Sequence, residues 1–146
     1  MAEPLVVVVE RLPDAPAARE PTKGTPGSAC FDVYAAEETD LRHGQVTLVR
    51  TGLKMQAPPG TFLEMRPRSG LSTKGVLMVN APGTIDSDYA QEVRVPLTLL
   101  FGETYRIHAG DRIAQCRLVG EVETRFAWGT VLESPHRKGG FGSTGR

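Results

Sequence analysis

The chain has 146 residues, 40% hydrophobic and 23% charged, with 17 basic and 17 acidic side chains and a formal net charge of zero. That size and composition fit one globular domain. The even charge balance lacks the basic excess that a nucleic-acid backbone partner demands, and no apolar run reaches the ~18 residues of a membrane-spanning helix.

The chain opens "MAEPLVVVVERLP". No positive segment precedes the four valines, so the stretch reads as a strand over residues 5–10 rather than a signal peptide. Residues 12–28 are rich in Pro, Ala and charge and read as an irregular connection. Cys30 and Cys116 lie far apart, with no CxxC or Cys/His spacing between them. Two buried free thiols in a reducing, cytoplasmic setting are expected. Further strands are predicted over residues 45–51, 76–79, 104–107, 112–119 and 126–131. In "TFLEMR", Leu63 and Met65 share one face and Glu64 and Arg66 the other. In "EVRVPLTLL", Val93, Val95, Leu97 and Leu99 alternate with Glu92, Arg94, Pro96 and Thr98, the period of a half-buried strand. Pro96 points to an edge or a bulge there.

Only residues 69–74 suit a short helix, and no longer window carries a helical period. Sixteen glycines and eleven prolines punctuate the chain between short apolar stretches. The fold class is therefore all-β, a sandwich, jelly roll or small barrel. One domain is expected over residues 1–132. A glycine-rich arm follows over 133–146, with few core-forming residues, expected to be mobile when empty.

Five polar or glycine-rich stretches lie beside the strands. In "GSACFDVYAAE", Asp32 sits between Phe31 and Val33, as either a surface strand residue or a functional carboxylate. In "RPRSGLSTKG", Arg68, Ser69 and Gly70 bring a guanidinium, a hydroxyl and free N–H groups to the start of a helical turn. That combination suits phosphate oxygens, but a capped helix with a surface arginine has the same residues. In "NAPGTIDSDYAQEV", Asn80, Pro82 and Gly83 supply turn chemistry. An extended course there sends Asp86 and Asp88 to opposite faces, so at most one serves a site, as an orienter of water or its proton acceptor. In "GDRIAQCRL", Gln115 is an amide between the apolar positions Ala114 and Cys116. The tail "HRKGGFGSTGR" reads as either a disordered end or a phosphate-wrapping segment.

Taken together and in this order, "PRSGL", "NAPGTIDSDY", "GDRIAQ" and "GGFGSTG" resemble the trimeric dUTPase family (deoxyuridine 5'-triphosphate nucleotidohydrolases), over roughly residues 27–145. The resemblance implies a jelly roll assembled as a homotrimer with shared active sites. It implies hydrolysis of dUTP to dUMP and pyrophosphate by water attack on the α-phosphorus, which limits uracil in DNA and supplies dUMP for thymidylate synthesis. Asp86 would orient and activate the water. Arg68, Ser69, Gly70 and Gln115 would hold the phosphates, with Arg137, Ser143 and Thr144 joining from the tail. Asn80 and the backbone around Gly83 would read uracil, Tyr89 would pack on the deoxyribose, and Phe141 would stack on the base. Mg²⁺ would bridge the triphosphate, with Asp32 holding its water ligands, in keeping with magnesium's slow dehydration.

Three departures from the family pattern stand out. Gln91 replaces a glycine in "DYAQE". The stretch from Ser69 to Asn80 is one residue short. Aligned on Phe141, the tail's usual arginine falls at His136 and its glycine at Arg137. Arg137 is the better phosphate partner, because a guanidinium is bidentate and always charged. Two other readings use the same residues. One is the related dCTP deaminase group, which would release ammonia. The other is a non-catalytic jelly-roll binding protein.

Overall fold

The structure, a computed structural model, describes residues 2–142 and 144–145. It is nearly all β with one short helix, as the composition predicts. The strands are β1 (Val8–Arg11), β2 (Phe31–Tyr34), β3 (Thr39–Arg42), β4 (Thr47–Arg50), β5 (Leu53–Gln56), β6 (Thr61–Arg66), β7 (Val76–Met78), β8 (Gly83–Ile85), β9 (Arg94–Leu99), β10 (Thr104–Ile107) and β11 (Arg112–Gly120). The helix α1 covers Ser69–Ser72. One four-stranded sheet runs β2-β11-β6-β8 and a three-stranded sheet runs β4-β9-β7. The antiparallel pairs β1-β5 and β10-β3 complete the jelly roll.

Side-chain alternation decides what lies inside. Val93, Val95, Leu97 and Leu99 are buried, as are Leu63 and Met65, so both periodic segments turn the expected face to the core. They meet Val33, Leu41, Val49, Leu53, Met55, Ile107 and Ile113 in one apolar cluster. Each large aliphatic side chain buried there contributes about 1.5–3 kcal/mol over leaving it in water.

Pro96 does not mark an edge: β9 is the middle strand of its sheet, with Leu48 opposite Pro96 on one side. On the other side the Pro96 carbonyl accepts from the Val79 N–H at 3.0 Å. Val79 lies one residue past β7 and is exposed. The donor that proline lacks would serve only that last rung, where water reaches the open carbonyl.

Residues 126–131 form no strand; every described residue from 121 onward is exposed, including Phe126 and Trp128. A strand needs a ladder partner, and a single chain offers this segment none. The irregular course over 12–28 holds, tied to β2 by an isolated bridge between Thr22 and Asp32. Both cysteines are free; Cys116 is buried, whereas Cys30 is only half-buried.

Candidate active site

The first cluster is built on the four-stranded sheet. Register places Gln115 of β11 between Asp32 of β2 and Arg66 of β6. A β-bulge in β11 between Arg112 and Ala114 changes which residues share a face. Ile113 and Ala114 are both buried, so Arg112 is switched out of strict alternation onto the polar face of Gln115 and Arg117. Bulges commonly re-aim a side chain in this way. Arg112 Nη1 then lies 3.6 Å from Asp32 Oδ2.

Asp32 also receives the Nε of Arg68 at 3.1 Å, and Arg68 Nη1 donates to the Arg112 carbonyl at 3.2 Å. Gln115 Nε2 donates to the Pro67 carbonyl at 2.9 Å, fixing the turn that leads into α1. Arg68 is the N-cap residue of α1 and makes no side-chain cap bond. Its carbonyl accepts from Leu71 and Ser72, and the N–H groups of Ser69 and Gly70 have no intrahelical partner. The alternative of a serine N-cap is thereby replaced: Ser69 is the first helical residue. Asp32, Arg68, Ser69, Gly70 and Gln115 thus lie around one polar corner.

The second cluster is the turn after β7. The Ala81–Pro82 peptide is cis. Gly83 pairs with Met65 across β8 and β6 and is buried. A Cβ on Gly83 would stand 3.1 Å from Asn80 Nδ2 and 3.3 Å from the Met65 Cβ, so a hydrogen there lets the Asn80 amide lie close to the backbone. Asn80, Gly83, Asp86, Tyr89 and Arg94 line a cavity of about 180 Å³. Asp88 is not among its lining residues, in keeping with one acid per face. The Asp86 carbonyl accepts from the Tyr89 N–H at 3.1 Å, and the Tyr89 hydroxyl donates to the Glu92 carbonyl at 2.8 Å. Gln91 does not have a positive φ, so the side chain where the family has glycine is accommodated without left-handed backbone. The short connection over 69–80 closes at Gly75, whose φ is +81° and whose missing Cβ leaves room for the Phe101 ring.

No residue of the polar corner lines this cavity. The tail residues His136, Arg137, Phe141 and Thr144 stand apart from both, fully exposed; Arg137 Nε bonds only locally, to the Gly139 carbonyl at 3.2 Å. Ser143 lies outside the described residues. Sequence reading missed Met65, Arg94 and Arg112 as site neighbours. Arg94 carried a signal, a charge on the polar face of β9 next to the turn, whereas Arg112 depends on the bulge.

Among the described residues no group of three or more His, Cys, Asp and Glu side chains could hold a metal. Asp32 is a lone carboxylate whose two oxygens already face guanidinium groups. Such a donor set suits a hydrated ion arriving on an anionic ligand and does not suit a cage of protein ligands.

The molecule is thus a β jelly roll with a half-buried polar corner of guanidinium, amide and carboxylate groups and a separate cavity of about 180 Å³. The dUTPase family model matches residues 17–145. A deoxyuridine 5'-triphosphate nucleotidohydrolase of Anaeromyxobacter sp. is 45% identical over 146 residues, covering 98% of this chain and 99% of the relative. The same enzyme of Solibacter usitatus is 43% identical over 124 residues, 84% of each chain. The chain belongs to the dUTPase family. Its fold is shared with the Staphylococcus bacteriophage 80alpha dUTPase solved with dUPNHPP, at a TM-score of 0.82 and 23% identity, covering 96% of this chain and 98% of that one. The dUTPase from phage phi11 of S. aureus aligns with a TM-score of 0.75 and 21% identity over 88% of this chain and 99% of that one.

Proposed function

We propose that this chain is a dUTP diphosphatase that releases dUMP and pyrophosphate, with its active site assembled from three copies of the chain. Family membership carries the reaction. The observation that supports sharing is the separation within one chain: none of Arg68, Ser69, Gly70 and Gln115 lines the cavity at Asn80, Gly83 and Tyr89, and its one guanidinium, Arg94, already faces the Glu92 carboxylate. A triphosphate seated in one copy therefore needs the Arg68 corner of another.

In this reading uracil enters the cavity against the backbone around Gly83 and the Asn80 amide. A narrow pocket excludes a 5-methyl by contact. It rejects cytosine because mismatched buried polar groups go unpaired, the costly kind of discrimination. Tyr89, its hydroxyl tied back to the Glu92 carbonyl, presents its ring to the sugar and leaves no room for a 2′-hydroxyl. Asp86 orients the attacking water and accepts its proton. Proton transfer to one positioned side chain contributes about 10²–10⁴-fold. Most of the acceleration then comes from alignment and charge neutralisation.

Arg68, Ser69, Gly70 and Gln115 take the phosphate oxygens, and residues 133–146 form a lid that adds Arg137, Ser143 and Thr144 and stacks Phe141 on the base. Ordering such a lid costs about 1–2 kcal/mol of backbone entropy per residue, so closure requires the full triphosphate. Mg²⁺ on the triphosphate supplies charge neutralisation, and Asp32 would hold its water ligands. A neighbour of the same fold, a variant of the phage phi11 dUTPase, is described with a structural Mg(II) ion. Both cysteines are free, which fits a reducing compartment, and we assign the enzyme to the cytoplasm. Among the described residues no helix is long and apolar enough to cross a membrane.

The test is a hydrolysis panel of dUTP, dTTP, dCTP and UTP on purified protein with Mg²⁺, following pyrophosphate and ammonia, with the mass in solution measured alongside. Pyrophosphate from dUTP alone, from a trimer, is expected. Ammonia from dCTP, or no release from any nucleotide, would overturn the reading.

A further inference from the structure

Arg50, at the end of β4, is surrounded by acids. Its Nε lies 3.0 Å from both carboxylate oxygens of Glu92, and its Nη2 lies 3.0 and 3.1 Å from the two oxygens of Asp14. Its Nη1 lies 3.6 Å from Glu37. The Arg50 side chain is 19% exposed and that of Glu92 only 8%. Glu92 Oε2 also accepts from the Gly52 N–H at 3.1 Å, and Oε1 lies 3.4 Å from Arg94 Nη2.

Glu92 is the root of the turn that lines the cavity. Its carbonyl holds the Tyr89 hydroxyl, and its carboxylate holds Arg94, which lines the same cavity. The next residue, Val93, is locked to the strand below: its carbonyl accepts from Thr51 Oγ1 at 2.6 Å, and its N–H donates to the Leu53 carbonyl at 2.8 Å. A carboxylate this enclosed keeps its place only while its guanidinium partner stays. Removing Arg50 therefore frees the Glu92 side chain to turn toward water: Arg94 loses its carboxylate partner, and the backbone whose carbonyl accepts from Tyr89 loses the side-chain tether that steadies it. Asp14 extends the same clamp to the irregular 12–28 connection, so Arg50 joins three parts of the chain distant in sequence.

We infer that Arg50 is a positioning residue for nucleoside recognition: through Glu92 it holds Tyr89 and Arg94 at the cavity and sets deoxynucleotide affinity and sugar discrimination, with little effect on the chemical step. The inference rests on the reading that this cavity takes the nucleoside.

The experiment measures kcat and KM for dUTP and UTP on the full chain and on the variants R50M, R50K, E92Q, Y89F and Y89A, with thermal melts and mass in solution for each. R50M is expected to raise KM for dUTP about tenfold with kcat within about twofold, the pattern of lost ground-state binding, and to narrow the dUTP-to-UTP ratio of kcat/KM. R50K should recover part of the loss, because an ammonium restores the charge without the bidentate fork. The double variant R50M/E92Q should lose less than the product of the single effects, since both act through one contact. A folded R50M with unchanged KM and unchanged sugar ratio, or a loss confined to kcat, would overturn the inference. If R50M does not fold, R50K and Y89F decide: wild-type KM and sugar ratio in both overturns it. Y89A separates the two levels. If it leaves dUTP affinity and UTP rejection intact, the nucleoside reading of the cavity fails; if it disturbs both while the Arg50 variants do not, only the positioning role fails.

Discussion

Arg68 Nε donates to Asp32 Oδ1 across 3.1 Å, joining two residues that the sequence assigns to different ligands, a phosphate and a metal's water shell. With their side chains 24% and 15% exposed, the pair is screened from bulk water but open to a ligand. An incoming triphosphate and its cation offer each partner a better match, oxygen for the guanidinium and hydrated magnesium for the carboxylate. D32N should therefore lower dUTP turnover about 10–100-fold, the usual cost of losing an outer-shell partner, and raise the Mg²⁺ concentration for half-maximal rate. A magnesium titration of both proteins checks this; an unchanged midpoint would separate Asp32 from the ion.

Asp86 faces the cavity that Tyr89 and Asn80 line. Asparagine keeps its shape and its backbone contact with Tyr89 but cannot accept a proton. D86N is expected to bind dUTP with near-native affinity by calorimetry while single-turnover rates drop about 10²–10⁴-fold. Turnover at the native rate would remove Asp86 from its role.

Gly52 has φ +69°, and a Cβ there would stand 2.5 Å from the Ala15 Cβ and 2.8 Å from the Ala18 Cβ. Overpacking costs about 1–3 kcal/mol and left-handed backbone in a residue with a Cβ about 1–2 kcal/mol. G52A should lose about 2–5 kcal/mol in urea unfolding on these two grounds together. A change below about 0.5 kcal/mol, the size of an ordinary surface substitution, would mean that the 12–18 segment moves aside freely.

Burial pushes the Cys116 thiol up to about 12, with Cys30 nearby adding to the shift. A thiol raised this far stays protonated across the neutral range, so it adds no pH dependence to stability there. Iodoacetamide at pH 8 should leave Cys116 unmodified in the folded protein and label it after unfolding, as read by peptide mass. Rapid labelling of native protein would show that β11 opens.

Deleting residues 135–146 should leave the melting temperature unchanged and sharply lower turnover, since the described part of that segment buries nothing in the single chain. R137A should lose more activity than H136A if the guanidinium takes the phosphate. Equal losses, or a larger one at His136, would reassign the contact, and a fall in melting temperature without nucleotide would make the arm structural.

Much of this molecule was legible before folding. Period-two alternation identified Leu63, Met65, Val93, Val95, Leu97 and Leu99 as core, because burial on one face is a local property of a strand. The jelly roll and the family were readable because four motifs keep their order and spacing. The strands β2, β3, β5 and β8 were not named: segments of three or four residues declare themselves only through strand-favouring composition, and Asp32, Asp40, Lys54 and Gly83 interrupt it. Residues 126–131 misled in the other direction, since propensity without a ladder partner makes no strand in one chain.

Residue faces and turn chemistry were readable in the sequence because they depend on neighbours a few positions away, whereas the list of site candidates left out Arg94 and Arg112. Only the tertiary structure decided that a bulge turns Arg112 toward Asp32, that Pro96 is tolerated inside a sheet, and that Gln91 needs no left-handed backbone. It alone brought Arg50 to Glu92, 42 positions apart, and Arg68 to Asp32, 36 apart. Those pairings follow from strand register across the sheets, and register is set by the packed core as a whole, which no short stretch of sequence encodes.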